Sequence, residues 1–180
     1  MARGLSVQVP TLRFPEPDDA PAIFAAVRES IEELHRWMAW CRRDFALADA
    51  AQWVAGQPEA RSTGSAFEFV IVGQQGRVLG CCGVNQISKD DRSANFGYWV
   101  RTSETRRGVG TQAGRLLAQW VFANTDLVRL EIVAAVGNDA SLALAEKLGA
   151  WREGVLRSRL LIHGTFHDAV VLSLIRPRQA

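Results

Sequence analysis

The chain has 180 residues, 48% of them hydrophobic, and a formal charge of +2. That length and apolar content suit a single domain, residues 1–180, with a core large enough to fold without metals or disulfides. So small a net charge excludes a global field that would recruit nucleic acid or an anionic membrane, while a local basic cluster could still hold a small anionic ligand.

The opening MARGLSVQVP lacks the apolar core of a secretory signal, and no apolar run approaches the length needed to span a bilayer, so a cytoplasmic protein is expected. Leu5–Phe14 reads as a first strand, broken by Pro15-Glu16-Pro17-Asp18-Asp19, which also offers carboxylates at a helix start. Ile23, Phe24, Val27, Ile31 and Leu34 then recur at helical spacing as far as Trp37, and a second short helix is expected over Ala48–Gly56. Three strand candidates follow, Ala66–Val72, Arg77–Ile87 and Ser93–Val100, joined by short polar turns into an antiparallel meander. Cys81 and Cys82 are adjacent in the middle strand and point to opposite faces; with Cys41 they read as reduced, buried residues without metal-ligand spacing.

From Gly110 to Asn124, Ala113, Leu116, Leu117, Trp120 and Val121 share one face, as in a helix laid on a sheet, and the strand Val128–Val136 comes next. Strand, helix and strand in that order predict that the two strands run parallel. A helix over about Ala140–Leu148 ends at Gly149, and Val155–Ile162 and Phe166–Ile175 form a last hairpin around His163-Gly164-Thr165.

Between the third strand of the meander and the long helix lies Arg106-Arg107-Gly108-Val109-Gly110-Thr111. Glycines that permit close backbone approach, arginines, a threonine hydroxyl and the unpaired N–H groups of a helix start outline an anion site. A plain strand-to-helix turn explains the same residues. Neither a P-loop GxxxxGK[ST] nor a dinucleotide GxGxxG is present. Glu68 interrupts the apolar strand Phe67-Glu68-Phe69-Val70-Ile71, where a carboxylate either faces a wet edge or is kept for chemistry. His35, His163 and His167 form no metal set, and each reads as a surface or turn histidine.

Gly97-Tyr98-Trp99-Val100, Arg107-Gly108-Val109-Gly110-Thr111, Asn138-Asp139-Ala140-Ser141, Glu146-Lys147-Leu148-Gly149-Ala150 and the ending from Glu153-Gly154 to Gly164 and Asp168 carry a resemblance across Thr11–Ile175. The chain resembles the GCN5-related N-acetyltransferases (GNAT), and within them the RimJ/RimL type that acetylates protein N-termini. The resemblance implies an α/β fold: a mostly antiparallel sheet with a central, splayed parallel strand pair and helices on both faces. It implies acetyl-CoA as co-substrate, no metal, and a pyrophosphate loop over Thr105–Gly110, with Thr105 in place of the usual Gln or Arg. Arg106, Arg107, Gly108, Val109, Gly110 and Thr111 would surround the pyrophosphate, and a backbone N–H near Trp99 or Val100 would polarise the thioester carbonyl.

By the same resemblance Asn138 bonds the cofactor, Ser141 protonates the departing thiolate, and Glu32, Glu33, Trp37 and Trp40 belong to the segment that walls the acceptor site. The RimL-like pattern has a glutamate where Leu160 stands here, which leaves Glu68 as the expected base. No cysteine occupies a position the resemblance marks as catalytic, so direct attack in a ternary complex is expected. The implied acceptor is a protein or peptide N-terminus, with a small amine, a longer acyl donor such as succinyl-CoA, or a non-catalytic acyl-CoA sensor as alternatives. A homodimer is compatible with the sequence.

Overall fold

The computed structural model describes residues 9–177. The chain enters the sheet as β1 (Thr11–Arg13), and the first part of the strand expected over Leu5–Phe14, up to residue 8, lies outside the described residues. Asp19, buried in the turn that follows, accepts from the Glu16 N–H at 2.7 Å and from Arg13 Nη1 at 2.6 Å, tying strand to turn ahead of α1 (Ala20–Glu29).

The apolar helical period continues past α1, but the helix breaks at Ser30, and α2 (Ile31–Trp37) starts afresh. Ser30 Oγ accepts from the Thr102 N–H at 2.9 Å, a contact 72 residues away that a local periodicity cannot reveal. α3 (Leu47–Thr63) runs well past the expected Gly56, carrying Pro58 inside it, and stops only at Gly64 in the left-handed conformation.

β2 (Phe67–Val72), β3 (Val78–Ser88) and β4 (Ser93–Val100) form the expected antiparallel meander. α4 (Val109–Asn124) leads to β5 (Arg129–Ala135), which pairs parallel to β4 as the strand–helix–strand order predicts. After α5 (Asp139–Lys147), β6 (Trp151–Ile162) and β7 (Thr165–Ile175) close the sheet in the order β1-β2-β3-β4-β5-β7-β6. β6 starts four residues before the expected Val155, along a stretch with two register shifts against β7.

Each face of the sheet has its own core. Phe69, Ile71, Val84 and Phe96 pack under α4, while Val70, Val72, Val78 and Cys81 pack under α1 and α3. Cys82 belongs to the first cluster and Cys81 to the second, so the pair does point to opposite faces, and all three thiols are free and buried.

At Gly80 of β3 φ is +154°, and a Cβ would stand 2.1 Å from the Trp99 carbonyl oxygen of β4. That neighbour is backbone and cannot rotate away. Gly80→Ala is expected to cost about 2–4 kcal/mol through backbone displacement, measurable as a lower urea midpoint at unchanged m-value.

Candidate active site

β4 and β5 pair at only three positions, Ser93↔Arg129, Ala94↔Leu130 and Asn95↔Glu131, and then part. β4 stays on β3 as far as Val100, and β5 stays on β7 as far as Ala135, so a wedge-shaped gap opens between two intact half-sheets. The Arg101 N–H donates back to Leu79 O at 2.7 Å. Because successive residues of a strand direct their N–H groups to alternate sides, Val100 and Tyr98 direct theirs into the gap and Trp99 does not. A cavity of about 620 Å³ passes through this gap, touching Asn138 and Ser141 on one side of the sheet and Glu68 and Trp53 on the other.

On one side of the gap stands the N-terminus of α4. Arg106 (φ +60°) and Gly108 (φ +79°) both take the left-handed conformation, which turns the chain sharply into the helix. The Gln112 N–H makes the first bond of this helix end, to Gly108 O at 3.0 Å, leaving the N–H groups of Val109, Gly110 and Thr111 without helical partners. With the positive end of the helix dipole, they form an anion seat.

The structure reassigns several residues of this loop. A Cβ on Gly110 would lie 2.5 Å from Leu144 Cδ1, so the packing of α4 on α5 requires that glycine. Gly108 has open space, its nearest neighbour being Gln112 Nε2 at 3.6 Å from the Cβ position. The Val109 side chain is buried in the core and offers the seat only its N–H. Glu104, 2% exposed, holds Arg77 Nη1 at 2.7 Å and Arg107 Nη1 at 3.4 Å, so Arg107 is partly neutralised while Arg106 stays exposed. Ahead of the loop, Arg101 pairs with α1, its Nε 3.1 Å from Glu29 Oε2.

At the start of α5, Asn138 is the N-cap: its Oδ1 accepts from the Ser141 N–H at 3.2 Å. Ser141 lies in the first turn with its Oγ 3.1 Å from the Tyr98 hydroxyl, which donates to Ser141 O at 3.0 Å. Tyr98 therefore spans from β4 to α5 across the gap. Burial pushes its hydroxyl up to about 12, against the opposing pull of the Ser141 bond, so the group stays a donor.

On the opposite side, the cavity is walled by Trp37, Trp40, Trp53 and Trp99 and by Leu160 of β6. Glu32 is occupied by Arg43, and Glu33 accepts from Trp37 Nε1 at 3.2 Å, so the two glutamates are surface pairings while the two tryptophans do face the cavity. Glu68 enters from β2. Burial pushes its carboxyl up to about 7, opposed by a hydrogen bond from Asn85 Nδ2 at 2.9 Å. His35 and His163 stack at 3.9 Å between centroids, and His163 Nε2 lies 3.0 Å from His35 O, clasping the β6–β7 hairpin to α2 beside the cavity. Among the described residues no three His, Cys, Asp or Glu side chains converge as a metal site, and no helix is long and apolar enough to cross a membrane.

A splayed parallel pair beside a left-handed glycine loop is the arrangement that the acetyltransferase resemblance requires. The profile of the Acetyltransferase (GNAT) domain matches residues 11–150. The chain belongs to the GNAT acetyltransferase family. This acetyltransferase is similar over 168 residues, at 27% identity, to YdaF of Bacillus subtilis (strain 168), whose name proposes a ribosomal N-acetyltransferase; the match covers 92% of this chain and 91% of that one. It is 26% identical over 120 residues to the ribosomal-protein-serine acetyltransferase of Escherichia coli (strain K12), covering 67% and 66%. Its fold is that of RimL, the ribosomal L7/L12 alpha-N-protein acetyltransferase solved with coenzyme A, at a TM-score of 0.85 and 24% identity over 93% of this chain and 97% of the other. The microcin C7 self-immunity acetyltransferase MccE, solved with acetyl-CoA and AMP, shares it at a TM-score of 0.86 and 22% identity over 97% of both chains.

As a GNAT enzyme the chain uses acetyl-CoA, and the seat at α4 fits a pyrophosphate: free N–H groups, a left-handed glycine with room above it, and the exposed Arg106. Reading the sequence missed Tyr98 as a side chain, Glu104 as the residue that organises the loop, and Asn85 beside Glu68. Only the last carried a local signal, the first polar residue after the apolar run of β3; the other two depend on contacts between elements.

Proposed function

We propose that this enzyme transfers the acetyl group of acetyl-CoA to a protein or peptide N-terminal α-amine by direct attack in a ternary complex. The carrying observation is a carboxyl near 7 facing the acceptor side of a gap whose other side bears the anion seat. An α-amine has a pKa near 8 and is about a tenth neutral at pH 7, whereas lysine near 10.4 is neutral only about 0.04% of the time. A base poised near 7 is matched to the first and about three units short of the second. The names of the YdaF and Escherichia coli relatives, which point to ribosomal proteins, agree with a protein acceptor.

In this reading the N–H groups of Val109, Gly110 and Thr111, with Arg106 and less of Arg107, hold the pyrophosphate, and Asn138 borders the pantetheine arm. The Val100 N–H, directed into the gap, donates to the thioester carbonyl oxygen, where negative charge develops. Trp99 acts through its ring, as part of the acceptor wall. Glu68 takes the amine's proton, and Ser141 Oγ, braced by Tyr98, gives one to the departing thiolate sulfur. Ser141 is reprotonated from solvent, and Glu68 releases its proton there.

Ser141→Ala is expected to lower kcat by about 10²-fold while the Kd for acetyl-CoA changes less than about twofold, because the Asn138 cap accepts from the Ser141 backbone N–H. Steady-state kinetics with calorimetry separate the two effects. Unchanged kcat would remove Ser141 from this role.

A further inference from the structure

On the acceptor side three residues stand directly opposite one another across neighbouring strands: Glu68 pairs with Gly83, and Gly83 with Gly97. Two residues along, and therefore on the same face, Asn85 pairs with Asn95. Their side chains form a chain in which Asn95 Nδ2 donates to Asn85 Oδ1 at 2.9 Å and Asn85 Nδ2 donates to Glu68 Oε1 at 2.9 Å. Glu68 Oε2 lies 2.1 Å from where a Cβ of Gly83 would stand, so the carboxyl rests over that glycine. Gly97 is one strand spacing further on, about 4.8 Å. A Cβ there would meet nothing nearer than Asn95 Nδ2 at 3.9 Å. The two glycines thus make a trough from the Glu68 carboxyl to β4, and Asn95 sits where β4 and β5 part.

We propose that Asn85 and Asn95 are positioning residues for proton removal, and that the Gly83–Gly97 trough is the path by which the acceptor's proton reaches Glu68 Oε2. This rests on the reading of Glu68 as base. As the amine nitrogen bonds to the acyl carbon its N–H bond breaks; a water in the trough takes that proton and hands one of its own to Oε2. Asn95 decides the orientation of its neighbour. An amide whose oxygen is held by a donor must turn its NH₂ the other way, toward Glu68. Without Asn95 the Asn85 amide is free to rotate, and its oxygen would then face the carboxylate and repel its ionised form.

Neither amide titrates, so substitutions there reach the pH profile only through Glu68. The charged and titratable groups around it are Cys81 and Cys82 on β3, both pushed up by burial, Asp49 of α3, Arg42 ahead of it, Arg159 of β6, and Asp19 paired with Arg13 at the entry to α1. All of these stay in place.

The experiment measures kcat/KM against pH, with a free-N-terminal peptide and saturating acetyl-CoA, for the wild type, Glu68→Gln, Asn85→Leu, Asn95→Leu and Gly97→Ala, with circular dichroism melts confirming folding. Asn85→Leu should move the ascending limb up by about one to two pH units, the size of a lost hydrogen bond to an ionised group. Asn95→Leu should move it the same way by less. Gly97→Ala should lower kcat at least about tenfold with the limb and the acetyl-CoA Kd unmoved. If both asparagine variants leave the limb in place while Glu68→Gln abolishes it, the positioning role is overturned and the base stands. A limb near 7 that survives in Glu68→Gln, beside the peptide amine's own titration near 8 that every variant keeps, overturns the base and the asparagine chain together.

Discussion

Glu68→Gln is expected to lower kcat/KM by about 10²–10⁴-fold at neutral pH and to erase the ascending limb near 7 expected from the raised Glu68 carboxyl, leaving the peptide amine's own titration near 8. The same substitution should make the protein more stable. The carboxyl is raised from 4.5 in the unfolded chain to about 7 in the fold, so the folded state holds the proton more tightly. Stability from this group is fully present below pH 4.5 and is lost as pH rises through about 7. Glutamine has no such proton to lose, and the variant should gain on the order of 1–3 kcal/mol over the wild type at pH 8 and little at pH 4. Denaturant unfolding at the two pH values reads this directly. A residue kept only for structure would show the opposite pairing, activity intact and stability reduced.

Gly108→Trp is expected to raise the Kd for acetyl-CoA by more than about 100-fold, because charge-assisted hydrogen bonds to phosphate are worth about 1.5–3 kcal/mol each and the indole would cover several donors at once. The left-handed φ of +79° adds backbone strain that only glycine escapes. The open space around this position keeps the damage local, and the melting temperature should fall by only a few degrees. Isothermal titration with acetyl-CoA checks the first effect. A Kd within threefold of the wild type would move the pyrophosphate away from α4.

Much of this architecture was legible in the residues. The meander, the helix from Gly110 and the parallel partner strand follow from period-2 and period-3.6 patterning, which reports the face each residue buries. The break at Ser30 was not legible, because its cause is a bond to Thr102 in a distant loop. The length of α3 was hidden by Gly56 and Pro58, local breakers through which the helix continues to Thr63.

In the site, RRGVGT was legible as an anion loop, but the reason for each residue was not. Gly110 answers to Leu144 and Arg107 to the buried Glu104. Glu68 was visible as a charge in an apolar strand. The surroundings on which its proposed role as base rests, the facing glycines and the two asparagines, depend on strand register, which the sequence does not print.

The central claim is acetyl transfer to an α-amine. Its most direct measurement pairs two peptides of the same sequence with the purified enzyme and acetyl-CoA, one with a free N-terminus and blocked lysine, the other with a blocked N-terminus and free lysine. Released thiol and the mass-mapped acetyl site are followed together. Turnover is expected on the first peptide, with the acetyl group on the α-nitrogen, and at least about 100-fold less on the second. Acetylation of the lysine alone, or acetyl-CoA binding without thiol release from either peptide or a panel of small amines, would contradict it.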